Sequence, residues 1–192
     1  MNSLKVILID RNTGRSAILR RALQDAGHEV ISRIETCQNL EENIEITHAD
    51  VIIVNTGIPD DEIFANLDSI NKAKPKPIVM FTQESNKNMT DSAMKSGVNA
   101  FIVDGLEENR VQPIIDIAIA RFREFQALKD ELDRTKTQLD ERKVIERAKG
   151  LLMKKQKLSE EEAYSKLRRM AMDKNLRIGE VAKNLIEIID LL

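Results

Sequence analysis

The stretch that decides the C-terminal fold is Arg142-Lys-Val-Ile-Glu-Arg-Ala-Lys-Gly-Leu-Leu-Met153. Its apolar residues recur at steps of three and four, which places them on one side of a helix: Val144, Ile145, Ala148, Leu151 and Leu152. The basic residues project around the remaining arc. Gly150 lies inside the pattern, although glycine within a helix costs about 1 kcal/mol relative to alanine. The stretch therefore predicts a helix with an apolar side for its own domain and a cationic side, with bare backbone, for a partner.

Two short helices are predicted after this stretch. Ser159 and Glu162 have the spacing of a capping box, which predicts a helix over about 160–174. Its apolar face is expected to hold Ala163, Tyr164, Leu167, Met170 and Ala171. A last helix is predicted over about 178–191, with Val181, Ala182, Leu185, Ile188 and Ile189 apolar. Three helices that bury one another's apolar stripes form a small all-α bundle.

A long helix is predicted before the stretch. Heptad positions follow at alternating steps of four and three: Ile114, Ala118, Arg121, Phe125, Leu128, Leu132, Thr135 and Leu139. They form a seam of about three and a half heptads on a helix of roughly 40 residues, with Pro113 in its first turn. We expect a homodimer through a coiled-coil seam at Phe125, Leu128, Leu132 and Leu139. The alternative is a single helix packed back on the N-terminal domain.

Short apolar runs alternate with helical segments over residues 4–120. The runs are 6–9, 30–31, 51–54, 78–81 and 101–103, and helical segments are predicted near 17–26, 39–46, 62–73 and 86–96. This alternation predicts a doubly wound α/β domain with a parallel sheet covered on both faces. Polar residues follow four of the runs, where such sheets place their sites: Asp10, Asn55, Thr82 and Asp104.

Composition excludes several classes of protein. The chain has one cysteine, Cys37, and two histidines, so no disulfide or Cys/His metal cluster is expected. Apolar runs reach about five residues, against roughly 20 for a membrane span, and no signal peptide is evident, so we expect a cytoplasmic protein without cofactor or metal. Residues 1–121 carry a net charge of −5 and residues 140–179 one of +5. This asymmetry indicates a polyanion-binding module that follows an acidic regulatory domain in the chain.

The N-terminal region resembles a response-regulator receiver domain, which has a (βα)5 flavodoxin-like fold. Receivers carry an acidic pair after the first strand, a phosphorylated Asp after the third with Pro four residues on, a Thr or Ser after the fourth and a Lys after the fifth. Asp10 and Thr82 match this pattern, and Pro59 lies four residues after Asn55.

Three positions depart from the receiver pattern: Arg11 replaces the second acid, Asn55 the phosphoacceptor and Asp104 the lysine. An amide is not a nucleophile for phosphoryl transfer. Arg11 places a positive charge where Mg²⁺ would require carboxylate oxygens. We therefore expect a silent receiver in which Arg11 replaces the metal and pairs with Asp10 or Asp104. The alternative is that Arg11 points to solvent.

The C-terminal region resembles an ANTAR domain, the three-helix RNA-binding module of bacterial transcription antiterminators. The resemblance rests on Arg142, Ile145-Glu-Arg-Ala-Lys-Gly-Leu-Leu-Met153, Glu162-Ala-Tyr164, Leu167-Arg168, Ala171–Asn175 and Val181-Ala182. Val103-Asp-Gly-Leu106 and Ile117–Phe122 further resemble nitrate-assimilation regulators of NasT type. The domains implied are a receiver over 1–121, a coiled-coil linker over 122–140 and an ANTAR domain over 141–192, whose first helix continues the linker.

The resemblance implies an antiterminator that binds paired hairpins in nascent leader mRNA, not an enzyme. It also implies a nitrate/nitrite-sensing partner of NasS type that sequesters the regulator. RNA contacts are expected from Arg142, Lys143, Arg147, Lys149, Gly150, Arg168, Asn175 and Arg177, and Lys149→Glu is expected to abolish binding without unfolding.

Several of these residues have other interpretations. Lys149 could be a solvated helix position, Gly150 could serve helix packing alone, and Asn175 suits a left-handed turn. Tyr164 is expected in the core rather than stacked on a base. Two other classes of function stay open: a DNA-binding response regulator, which the acidic last helix disfavours, and a non-catalytic protein-interaction adaptor.

Overall fold

The computed structural model describes residues 3–10, 13–35, 44, 48–104 and 107–190. The chain divides into two compact units, Met1–Gln126 and Ala127–Leu192. The division falls inside the predicted linker. No helix in the described ranges combines the length and the apolar character that crossing a lipid bilayer requires.

The first unit contains a five-stranded parallel sheet. Its strands are β1 (Lys5–Asp10), β2 (Glu29–Ile34), β3 (Val51–Asn55), β4 (Ile78–Thr82) and β5 (Ala100–Val103). Their order is β2-β1-β3-β4-β5, which is the predicted doubly wound, flavodoxin-like topology. The helices described between the strands are α1 (Thr13–Asp25), α2 (Asp61–Ala73) and α3 (Lys87–Lys95). The helix predicted over 39–46 lies outside the described residues, except for Ile44.

Burial on both faces explains why the strands consist of continuous apolar runs. All five residues of β3 are buried, as expected for the centre of a sheet that helices cover on both sides. Ile52 joins Ile7 and Leu67 in one core, and Ile53 joins Leu8 and Ile115 in the other. Successive side chains of β3 point to opposite faces of the sheet, so they pack into two separate cores.

The long helix, α4, covers Glu108–Gln156, which is 49 residues. It begins before the predicted start, so Pro113 lies in the second turn rather than the first. The first two seam positions are also corrected. Ala118 is buried in a core of the first unit and Ile114 packs against the same core, because this part of α4 covers the sheet. Neither residue is available to a second helix.

The second unit adds α5 (Glu160–Lys174) and α6 (Ile178–Asp190) to the end of α4. The predicted capping box is present: the Ser159 amide donates to Glu162 Oε2 at 2.7 Å, and the Glu162 amide to Ser159 Oγ at 3.2 Å. The predicted turn at Asn175 is also confirmed, since this residue ends α5 with φ 53°. The shared core consists of Ala148, Leu152, Ala163, Leu167, Ala171, Val181, Ala182 and Ile186.

Two side chains that were predicted to lie in the core of this unit are exposed. Tyr164 is 45% exposed and Ile188 is 59% exposed. The helical period places both residues near the apolar stripe, but the core is small and closes around Ala163 and Leu167. The prediction that Tyr164 packs in the core is therefore wrong.

Candidate functional site

The receiver-like unit brings together three of its predicted pocket residues. Asp10, Asn55 and Thr82 end β1, β3 and β4, and each is at most 3% exposed. Asp10 and Asn55 are register partners on neighbouring strands, and Asn55 Nδ2 donates to Asp10 Oδ2 at 2.8 Å. Asp104 follows β5 with φ 47°, and its side chain is exposed. Arg11 lies outside the described residues, so its predicted pairing does too.

The geometry of this pocket suits tethering rather than phosphoryl transfer. The Asn55 amide offers no nucleophile and ties the Asp10 carboxylate on β1 to β3. Thr82 Oγ1 lies 2.8 Å from the Gly57 carbonyl oxygen and 2.9 Å from that of Glu84. The pocket thus retains the polar residues Asp10 and Thr82 at the strand ends, while Asn55 between them lacks the carboxylate that phosphorylation requires.

Arg33 is a pocket neighbour that the sequence did not indicate. Its Nη2 donates to the Asp10 carbonyl oxygen at 3.4 Å, and its Nε is buried without a hydrogen-bond partner among the described groups. Arg33 lies on β2, which pairs with β1. Strand order, and not the local pattern of β2, places this guanidinium beside Asp10.

On the second unit, a basic stripe runs along α4 on the side opposite the core. Lys143, Arg147, Gly150 and Lys154 follow one another at helical steps of four, three and four, which aligns them on one face. All four are exposed. Ala148 and Leu152, between them in sequence, are buried on the other side. Lys154 was missed by the sequence reasoning, although the same spacing rule includes it.

Gly150 is an open position within this basic stripe. A Cβ atom built on it would meet nothing within 4 Å. The interpretation that Gly150 serves close helix packing is therefore wrong. A neighbouring helix is in contact instead at Gly179, where a Cβ would lie at an ordinary van der Waals distance, 3.4 Å, from Glu141 Cγ. The open backbone at Gly150 leaves space that a bound partner can enter.

Lys149 does not belong to the exposed cationic surface. The residue is 7% exposed, and its Nζ donates to Glu160 Oε1 at 2.7 Å and to Glu146 Oε1 at 2.9 Å. These hydrogen bonds, first to Glu160 and then to Glu146, raise the pKa of Lys149. The same bond from Lys149 lowers the pKa of Glu160. Lys149 therefore fastens the start of α5 to α4, and the expectation that it projects towards RNA is corrected.

The other predicted RNA-contact residues are exposed but distributed over the unit. Arg142 lies on α4, and Arg168 lies on α5 one turn after the exposed Tyr164. Asn175 holds the end of α5, and Arg177 lines a polar groove of about 570 Å³. Tyr164 and Arg168 are neighbours on the surface of α5, so an exposed aromatic ring there lies one helical turn from a guanidinium.

Comparisons with known proteins agree with both units. The receiver domain of response regulators matches residues 6–116, and the ANTAR domain matches residues 133–186. The transcriptional regulatory protein PdtaR of Mycobacterium tuberculosis is 30% identical over 169 residues, covering 88% of this chain and 82% of that protein. A nitrate regulatory protein of Klebsiella oxytoca is 48% identical over 65 residues, covering 34% of this chain and 16% of that protein.

Solved structures support the fold of the first unit. A CheY-like receiver domain protein from Methanospirillum hungatei superposes with a TM-score of 0.55 at 17% identity, over 64% of this chain and 98% of that chain. At this identity the likeness shows the fold alone. The two domain matches and the similarity to PdtaR over most of both chains identify this chain as a regulatory protein that belongs to the response regulators and carries a receiver domain followed by an ANTAR domain.

Proposed function

We propose that this chain is a transcription antiterminator whose ANTAR domain binds paired hairpins in nascent leader mRNA. Holding the hairpins prevents the terminator stem from forming, so polymerase continues. The basic stripe carries the proposal: Lys143, Arg147 and Lys154 flank the open backbone of Gly150 on an exposed helix face. Cations spaced along a helix can contact successive phosphates of RNA. Because Gly150 has no side chain, the RNA can approach the helix backbone closely at that position.

Recognition of the hairpin loops requires more than charge. Unpaired bases are read by stacking on aromatic rings or guanidinium planes and by hydrogen bonds. Tyr164 is an exposed ring on α5, with the Arg168 guanidinium one helical turn away. We assign base stacking to this pair and phosphate contacts to the basic stripe. We assign supporting contacts to Arg142, Asn175 and Arg177, which are also exposed.

Control of the regulator comes from protein contacts in this proposal. Asn55 removes phosphorylation at the usual position, so a nitrate/nitrite-sensing partner of NasS type would bind the regulator and release it when its ligand is present. The similarity to the nitrate regulatory protein of Klebsiella oxytoca over 65 residues supports a role in nitrate assimilation. A homodimer would supply two ANTAR domains for two hairpins.

The test is binding of the full chain to a pool of two-hairpin RNAs with randomised loops, against duplex DNA of equal length. Binding is measured by fluorescence anisotropy over a salt series. We expect RNA to bind more tightly than DNA. Each phosphate contact removed by Lys143→Ala or Lys154→Ala should reduce the salt slope by roughly 0.7–0.9.

Lys183→Ala is the matched control, because Lys183 is an exposed cation that belongs to α6 and not to the basic stripe of α4. It should retain wild-type affinity. Equal affinity for RNA and DNA would favour the DNA-binding alternative. Absence of binding to either nucleic acid, even at low salt, would favour a protein-interaction adaptor. Transcription of a template with a leader terminator then measures the fraction of read-through that the bound protein adds.

A further inference from the structure

A pocket of about 280 Å³ lies at the amino edge of the sheet in the first unit, opposite the strand ends that hold Asp10, Asn55 and Thr82. Asn99, one of its lining residues, directly precedes β5, and its side chain bonds to Ile78, the first residue of β4. Every lining residue belongs to the first unit. The pocket is therefore separate from the receiver pocket at the carboxyl edge.

Part of the wall of this amino-edge pocket is apolar. Val98 is buried, Phe122 on α4 is half-buried, and Met94 near the end of α3 is exposed. Phe125 also borders the pocket but belongs to the predicted coiled-coil seam, and the site does not depend on it. An apolar cavity of about 150 Å³ is enough to hold benzene. The amino-edge pocket therefore has room for a ring or a branched chain together with a small polar group.

Two side-chain amides are held at the same wall by the fold. Gly97 has φ 89°, and a Cβ atom built on it would collide with the Asn71 side chain, so the absence of a side chain at Gly97 makes room for Asn71. The Ile78 amide donates to Asn99 Oδ1 at 2.8 Å, which leaves Asn99 Nδ2 as a donor. Within the described ranges, neither Asn99 Nδ2 nor the Asn71 side chain has a hydrogen-bond partner.

The charged residues that line the pocket are both cations. Lys95 ends α3 and Arg121 lies on α4, whereas no described Asp or Glu lines the pocket. Both side chains are exposed, and neither forms an ion pair with another described residue. The acids closest to them in sequence, Asp91 and Glu124, do not line the pocket. Two cations and two amides beside an apolar wall suit an anion with an apolar body.

We propose that the amino-edge pocket binds a small organic anion, whose carboxylate contacts Lys95 and Arg121 and whose aromatic ring or branched chain packs against Val98 and Phe122. A ligand that fills the pocket has on the order of ten non-hydrogen atoms, which corresponds to a dissociation constant of roughly 0.1–1 mM. The bound anion connects the loop before β5 to α4 and stabilises the first unit by mass action. Binding requires neither RNA nor phosphorylation.

Titration of the isotope-labelled full chain with phenylpropionate, followed by amide chemical shifts, tests the site. We expect saturable shifts at Gly97, Val98 and Phe122. The neutral analogue phenylpropionamide should bind roughly fivefold more weakly, because it lacks the charge. Acetate, which lacks the apolar body, should not saturate the shifts at about 10 mM. Shifts that do not saturate with phenylpropionate, shifts confined to other residues, or equal affinity for the acid and its amide would overturn the proposal.

Removal of the two cations tests their role in binding. Lys95→Gln combined with Arg121→Gln should weaken phenylpropionate binding roughly fivefold and leave the melting temperature of the free chain unchanged, since both side chains are exposed. Arg123→Gln is the matched control, because Arg123 is an exposed cation on α4 that does not line the pocket. It should retain wild-type affinity. Wild-type affinity in the double variant, or an equal loss in the control, would refute the proposal, whatever the affinity of these chains for RNA.

Discussion

Replacing Gly150 with alanine should change stability and RNA affinity in opposite directions. The residue lies inside α4, and the added methyl group meets no atom within 4 Å. The variant therefore gains helix propensity without a packing cost, about 0.5–1 kcal/mol of unfolding free energy. For a unit of this size, that corresponds to a rise of roughly 2–8 °C in melting temperature. If RNA approaches the bare backbone at this position, the added methyl group fills the space that the RNA needs. The affinity for RNA should then fall about tenfold.

The assay combines thermal unfolding of the full chain, followed by circular dichroism, with anisotropy titration of two-hairpin RNA. Asn184→Ala is the matched control, since it raises helix propensity at an exposed position of α6. It should stabilise the second unit, by up to about 0.7 kcal/mol, and leave RNA affinity unchanged. A Gly150→Ala chain that is more stable and binds RNA as tightly as wild type would refute the assignment of Gly150 to the interface.

Three other outcomes are expected. Lys149→Met should lower the melting temperature of the second unit, because it leaves Glu146 and Glu160 without their shared cation. Lys149→Arg should retain more of the stability, since it keeps the positive charge. If Lys149→Met left the melting temperature unchanged but abolished RNA binding, Lys149 would instead contact RNA directly. Acidification should destabilise the same unit. The Lys149 hydrogen bond lowers the pKa of Glu160 below 4.5, and the Ser159 backbone hydrogen bond does the same for Glu162. The stabilisation from these two carboxylates is therefore present above pH 4.5 and is lost as the pH falls through their pKa values in the folded state. If the melting temperature stays constant when the pH is lowered below 4.5, this prediction is contradicted. Tyr164→Ala should weaken RNA binding more than Tyr164→Phe, which keeps a stacking ring, and Met172→Ala serves as the exposed control on α5; equal affinity of all three variants would exclude stacking.

The sequence predicted the fold well because its signals are local. Periods of two and of three to four residues follow from backbone geometry, so the strands and helices could be located. The capping box at Ser159 and the left-handed turn at Asn175 follow from contacts within a few residues. The polar ends of β1, β3 and β4 could be predicted to meet because parallel strands share one carboxyl edge.

The side of each helix that is covered could be identified only from the tertiary structure. The helical period gives Lys149 a direction, but Glu160, eleven residues further along the chain, decides that its ammonium is bound within the unit. Tyr164 has an apolar spacing and is nevertheless exposed, because the core closes around smaller neighbours.

By itself, the sequence determined the helices, the strands, their order along the chain and the opposite net charges of the two domains, since these depend on composition and on neighbours along the chain. Only the tertiary structure decided that Ala118 belongs to a core and not to a seam, that Arg33 lies beside Asp10 and that Gly150 is open. The reason is physical: periodicity fixes the direction of a side chain relative to its own helix or strand, whereas burial and ion pairing depend on what other parts of the chain place in that direction.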